Sequence, residues 1–320
     1  MFDRRSLLAG AVAALAMGCT QGEGAAPDKT DDRAPFDSTG AVDALAELER
    51  QADGRLGAFI VDPARGQGFG WREDERFSMC STFKLSLAAM VLAMADHGEL
   101  DPLHTLYWSK SDLVPHSPAT EPALADGMTA LDLARATLVL SDNTAANVLL
   151  REYGGPAAMT RFWRAMGDDV SRLDRFETEL NDTPPNTDYD TSTPAAMART
   201  VSRLLLGAVL SPTARATLRQ WMMAIETGLD RIRAGFPAGW IAGDKTGTGF
   251  GATRHTYGDL AFGGPSGATP LIIAAWFEPS ARIEPRDPGA IATLARVGQI
   301  AAATRGTPPQ ALLIRHNSLF

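Results

Sequence analysis

The chain has 320 residues, 45% of them hydrophobic and 21% charged, with a formal net charge of −8. That size and apolar share suffice for a large core, in one large domain or two interlocked ones. The acidic balance argues against a nucleic-acid partner and supplies no basic patch for anionic lipid; the five His and two Cys show no H-x-x-x-H or C-x-x-C spacing, so no metal site is expected.

Residues 1–19, MFDRRSLLAGAVAALAMGC, read as an export signal, because Arg4-Arg5 precede an apolar run, Leu7 to Gly18, that is too short to span a bilayer. The paired Arg before Ser6-Leu7-Leu8 resembles a twin-arginine signal. Cys19 after Gly18 resembles a lipidation site, with ordinary cleavage near Ala14-Leu15-Ala16 as the alternative. A periplasmic destination follows, either free or tethered by a lipid anchor at Cys19. Residues 20–39 are polar and rich in Gly, Asp and Pro, a flexible linker.

The folded part begins with a helix over 41–53, with Val42, Leu45 and Leu48 on one face. RLGAFIVD (55–62) and GFGW (68–71) predict paired strands. From Leu85 to Ala95 the chain is apolar on every face apart from Ser86, which predicts a buried central helix. Thr129 with Asp132 forms a capping box, and Pro156, Pro194 and Pro212 mark first helical turns, the latter two after Thr193 and Ser211 caps. Gly154-Gly155, Gly167, Gly207 and Gly228 are helix stops. Between Gly167 and Thr193 periodicity is lost; loops of such length inside domains are usually functional or disordered. GWIAGDKTGT, YGDLAFG and LIIAAWFE then predict strands, and 288–305 a closing helix before a tail, 306–320. Strands at both ends with helices between them predict an α+β domain over 40–305. Its α/β part is 40–78 and 229–305, its all-α part 79–228, and a cleft lies between.

Three short motifs could carry chemistry. In MCSTFKLS (79–86), Ser81 starts the buried helix and Lys84 follows three residues later on the same face. Ser81 is either a helix starter or a nucleophile; a hydroxyl needs a neighbouring base, and a buried Lys can be one. Ser141-Asp142-Asn143 is equally a capping turn, and Lys245-Thr246-Gly247 equally a strand end. Together, S-x-x-K, S-D-N and K-T-G in this order form the signature of the penicillin-recognising serine enzymes. The chain resembles a class A serine β-lactamase. DLVPHSPATE (112–121) is similar to that family's cleft mouth, RFETELN (175–181) to its omega loop, and RIRAGFPAGW (231–240) to the approach to its catalytic strand.

The resemblance covers roughly residues 40–305 and implies a β-lactamase/transpeptidase-like α+β fold: a five-stranded antiparallel sheet flanked by helices, plus an all-α domain. It implies a monomer acting on small-molecule β-lactams, opening the lactam amide of penicillins and cephalosporins through an acyl-enzyme on Ser81. Ser81 and Thr248 would offer oxyanion N–H groups. Ser141 would relay a proton, and Asn143 would hold the acylamide and Lys84. Lys245, Thr246, Gly247 and Thr248 would receive the substrate carboxylate. Lys84 or Glu177 would take the first proton. Glu177, with Asn181, would activate the deacylating water, and Arg175 with Asp190 would close the loop. Arg231 is placed ahead of Arg254 as the assisting cation. Some positions depart from the family pattern. Thr178 stands where Pro is frequent, and His116 where a larger aromatic lines the entrance; Gly249 offers Cys80 no disulfide partner. A DD-peptidase and a silent binding domain are the rival readings; Glu177 argues against the first, the intact motif set against the second.

Overall fold

The computed structural model describes residues 38–283 and 286–306; the expected export signal, nearly all of the linker and the tail beyond Gly306 lie outside the described residues. Eight α-helices are described: α1 Ser38–Ala52, α2 Lys84–Asp96, α3 Ala130–Val139, α4 Asn143–Glu152, α5 Gly155–Ala165, α6 Pro194–Leu206, α7 Pro212–Met223 and α8 Pro288–Ala303. Strands β1 Gly54–Asp62, β2 Gln67–Trp71, β3 Ile241–Phe250, β4 His255–Gly264 and β5 Leu271–Pro279 form one antiparallel sheet, ordered β2-β1-β5-β4-β3.

Side chains along a strand alternate between faces, and here both faces are apolar. Leu56, Ala58 and Ile60 of β1 and Ile273 and Ala275 of β5 pack with Leu45 of α1 and Leu294 and Val297 of α8. From the opposite face, Phe59, Leu260, Ile272, Ala274 and Trp276 enter the core that also holds α2. Residues Lys84 to Ala93 of α2 are all buried, as an all-round apolar helix requires. Helices pack around it, and the sheet closes one side.

Local chemistry sets several boundaries. Thr129, Thr193 and Ser211 each accept a backbone N–H at the starts of α3, α6 and α7. Gly154 stops α4 as expected: it follows the C-cap Tyr153 in the left-handed region, at φ 96°, and turns the chain into α5. Gly228 differs from expectation: α7 ends at Met223, five residues earlier, and Gly228 packs instead on Asp244; a Cβ there would fall 1.4 Å from Asp244 Oδ2. The 168–192 segment contains no α-helix. It is an ordered loop with one 3-10 turn, Glu179–Asn181, and a two-residue strand, Thr191–Ser192, paired with Phe77–Ser78. Buried Asp168 pins its start, accepting from Val170 N, Ser171 N, Ser171 Oγ and Thr200 Oγ1.

Candidate active site

Ser81 lies in a one-turn 3-10 helix, Cys80–Phe83, that packs against β3 and β4 and leads directly into α2. The residues before these two helices, Met79 and Phe83, make no side-chain cap. Ser81 is therefore inside the starting turn rather than capping it. Its Oγ donates instead to Glu177 Oε1 at 3.3 Å.

Lys84 opens α2 and is fully buried. Its Nζ donates to Ser141 O at 2.8 Å and to Asn143 Oδ1, lies 3.5 Å from Ser141 Oγ, and forms an ion pair with Glu177 Oε1 at 2.9 Å. The Ser81 hydroxyl and the Lys84 ammonium thus meet at one carboxylate oxygen. Burial pushes the Lys84 ammonium below its ordinary range, and Glu177 opposes that shift.

The S-D-N turn is both a cap and part of this site. Asp142 caps α4 through Ala145 N, and also accepts from Ala119 N and Thr120 N, which ties the turn to the 117–121 segment. Ser141 takes a positive φ of 57°. Its Oγ accepts from Lys245 Nζ at 3.1 Å, so the hydroxyl lies between two ammonium groups. Burial, then the neighbouring Lys84, lowers Lys245 to about 7.

Glu177 is held from three sides. Asn181 Nδ2 donates to Oε2 at 2.6 Å, while Asn147 Nδ2 donates to Glu177 O at 2.8 Å and Asn147 Oδ1 accepts from Glu177 N at 2.9 Å. The Glu177–Thr178 peptide is cis. At the ends of the loop, Arg175 Nε donates to Asp190 Oδ2 at 2.7 Å, and Asp190 Oδ1 accepts from Asp174 N and Arg175 N. Asn147 was not among the predicted site residues. The signal for it was its spacing, one helical turn after Asn143 on α4.

A cleft of about 490 Å³ is lined by Ser81, His116, Ser141, Asn143, Asn181, Arg231, Thr246, Gly247 and Thr248. Thr227, Phe250, Tyr257 and Arg286 complete it and had no sequence signal. Arg231 is buried; its Nη1 donates to Gly247 O and Gly258 O, and its Nη2 to Thr248 Oγ1 at 2.7 Å. Arg254 stands outside the lining and faces Glu278 at 3.4 Å. His116 reaches Leu140 O with its ring at 2.9 Å. Cys80 is a free thiol, pushed up to about 12 by burial. A second cavity, about 410 Å³ beside Tyr107 and Arg151, contains none of the motif residues. Among the described residues no group of three or more His, Cys, Asp or Glu could hold a metal ion. The arrangement offers a half-buried hydroxyl, a carboxylate and an ammonium in one network, with the buried Arg231 in the cleft wall for an anionic substrate.

The model of the β-lactamase enzyme family matches residues 40–304. β-Lactamase FAR-1 of Nocardia farcinica is 44% identical over 280 residues, 85% of this chain and 87% of the relative. β-Lactamase SME-1 of Serratia marcescens is 40% identical over 261 residues, 81% of this chain and 88% of the relative. The solved structure of a class A β-lactamase representing the last common ancestor of Gram-negative bacteria is 46% identical. Its TM-score is 0.78, over 83% of this chain and 99% of that one.

Proposed function

Since the chain belongs to the class A β-lactamases, hydrolases that open the β-lactam ring and confer resistance to these antibiotics, we propose that it turns over penicillins and cephalosporins through an acyl-enzyme on Ser81. The observation that carries this reading is the sharing of Glu177 Oε1 by Ser81 Oγ and Lys84 Nζ, with Oε2 held by Asn181.

Ser81 Oγ attacks the lactam carbonyl and releases its proton into the Glu177–Lys84 pair. The developing oxyanion is received by the N–H groups of Ser81 and Thr248; β3 is an edge strand, which leaves alternate N–H groups without a neighbouring strand. Each such donor is worth about 2.7–4 kcal/mol in the transition state. When the C–N bond breaks, the Ser141 hydroxyl protonates the departing nitrogen and is resupplied from Lys84 or Lys245. Water then attacks the ester, Glu177 takes its proton, and Asn181 fixes the carboxylate for that task. Lys245, Thr246, Gly247 and Thr248 bind the substrate carboxylate. Because the Thr248 oxygen accepts from Arg231, its own O–H is left to donate to the substrate. Arg231 is the assisting cation; the Arg254–Glu278 pair argues against Arg254. Asn143 binds the acylamide, and His116 lines the mouth.

Nitrocefin hydrolysis by the purified domain, lost in Ser81→Ala, is the expected result; equal turnover by both would sink the mechanism. Glu177→Gln leaves Lys84 to accept the first proton but removes the base for the ester. A covalent adduct on Ser81 should then accumulate in mass spectra. A variant with normal turnover would return deacylation to another group.

The enzyme acts as a monomer without a cofactor, exported to the periplasm by residues 1–19 through the paired Arg and lipidated at Cys19. Impaired export of Arg4→Lys/Arg5→Lys and loss of membrane association in Cys19→Ala are the expected results. Unchanged fractionation of either variant removes the corresponding feature.

A further inference from the structure

Two carboxyls behind the cleft have no part in the reaction above. Asp244, next to Lys245 on β3, and Asp259 on β4 are both fully buried. Thr246 is opposite Asp259 and Asp244 opposite Ala261, so the two acids are diagonal neighbours on one face of the sheet. Asp244 Oδ1 and Oδ2 and Asp259 Oδ1 are buried without a hydrogen-bond donor aimed at them; the two carboxyls face each other. Arg233 Nε approaches Asp244 Oδ1 to 2.7 Å, an ion pair whose N–H is not aligned for a hydrogen bond.

Two buried carboxylates in contact do not both ionise; one proton between them supplies the missing donor and leaves one negative charge. Burial, reinforced at Asp259 by the facing Asp244, holds both above the usual carboxylate range. The groups facing the pair are Lys245 from its own strand, and Arg231 and Arg233 from the turn at Ile232–Gly235. Asp230 and Arg286 in turn face Arg231.

The pair also grips the chain on each side of Arg231. The Asp244 carboxyl presses on Gly228, where no Cβ fits, and Gly228 O accepts from Arg231 N at 3.0 Å. Asp259 Oδ2 accepts from Ile232 N at 3.1 Å. We propose that Asp244 and Asp259 share one proton and that this singly charged pair is a positioning element for Arg231 and Lys245. The proposal rests on the carboxylate-binding role given to those two cations above.

Infrared difference spectra of wild type against Asp259→Asn at neutral pH should show one protonated-carboxyl band, present only in wild type. Its absence overturns proton sharing. Asn at 259 keeps a donor toward Asp244 and keeps one negative charge, so Asp259→Asn should retain the wild-type KM for benzylpenicillin and its pH profile. Asp244→Asn/Asp259→Asn removes the charge that supports protonated Lys245. The alkaline limb of kcat/KM should then move to lower pH by at least about half a unit, an approximately threefold loss above the limb, with kcat unchanged. A double variant whose profile superimposes on wild type, or an Asp259→Asn equally impaired, overturns the positioning role. Should the double variant not fold, the infrared band and the Asp259→Asn profile still decide. Lys245→Ala with unchanged KM would remove the carboxylate-pocket reading while leaving the infrared band in place, so the two failures are distinguishable.

Discussion

The backbone of Glu177 is held by Asn147 and its carboxylate by Asn181, Lys84 and Ser81, and these restraints can be removed one at a time. Asn147→Leu keeps the bulk of the side chain but leaves the Glu177 N–H and C=O without their partner, at a cost of about 1–3 kcal/mol for each buried group left unsatisfied. Part of that cost should appear as misplacement of the base. Single-turnover kinetics should show deacylation slowed roughly tenfold or more, equivalent to about 1.4 kcal/mol in the barrier, with acylation less affected. Equal deacylation rates in variant and wild type would show that the backbone clamp is only structural. The two arginines separate as cleanly. Arg231→Ala removes a charged donor buried in the cleft wall, a contact class worth about 1.5–3 kcal/mol, so KM should rise about tenfold or more. Arg254→Ala disrupts a half-exposed pair worth about 0–1 kcal/mol and should leave KM nearly unchanged. The reverse ranking in steady-state assays would exchange their roles.

At the scale of elements, the 168–192 loop is where a long unperiodic stretch becomes ordered structure. Asp190 is fully buried and anchors Arg175 together with two backbone N–H groups. Breaking such a buried pair costs about 3–5 kcal/mol, because one charge is left uncompensated. Asp190→Asn should therefore lower the unfolding midpoint and raise hydrogen exchange at 174–190, while leaving protection in α2 intact at temperatures below unfolding. Exchange rising equally in α2 would mean that the clamp supports the whole domain rather than the loop. Periodicity did not reveal the loop's order; the closing pair Arg175–Asp190 was legible only through the family resemblance, and the hold of Asp168 on Thr200, 32 residues away, only in the folded chain. Elements with strong local chemistry were legible: the Thr193-Pro194 and Ser211-Pro212 helix starts, the all-apolar α2, and the three late strands. Gly228 misled because its small size serves the approach of Asp244 rather than a helix end. Among site residues, motif members were legible as types at fixed spacings. Thr227 and Tyr257 reach the site through a loop and the β3–β4 register, which only tertiary packing creates, whereas Asn147 lay within reach of the sequence, one helical turn after Asn143 on α4.

For the whole molecule, the question is whether helical body and sheet unfold together. Neighbouring β5 residues face opposite cores: Trp276 enters the core shared with α2, and Phe277 the core shared with α1 and α8. A strand that contributes to both cannot lose one core without exposing its backbone to the other, so the described domain should melt as one unit. Leu45→Ala, on the far face of the sheet, and Leu87→Ala, inside the helical core, remove fully buried side chains. Each should cost about 2–5 kcal/mol. At about 2–4 °C per kcal/mol for a domain of this size class, both should lower the same transition by several degrees. Far-UV circular dichroism, which reads helix, and loss of nitrocefin turnover, which reads the cleft between helices and sheet, should then give coincident midpoints in wild type and in both variants. Separate midpoints, or a Leu45→Ala variant that loses activity while its helical signal stays at the wild-type midpoint, would mean that the sheet and the helical body fold independently and that the cleft depends on their docking.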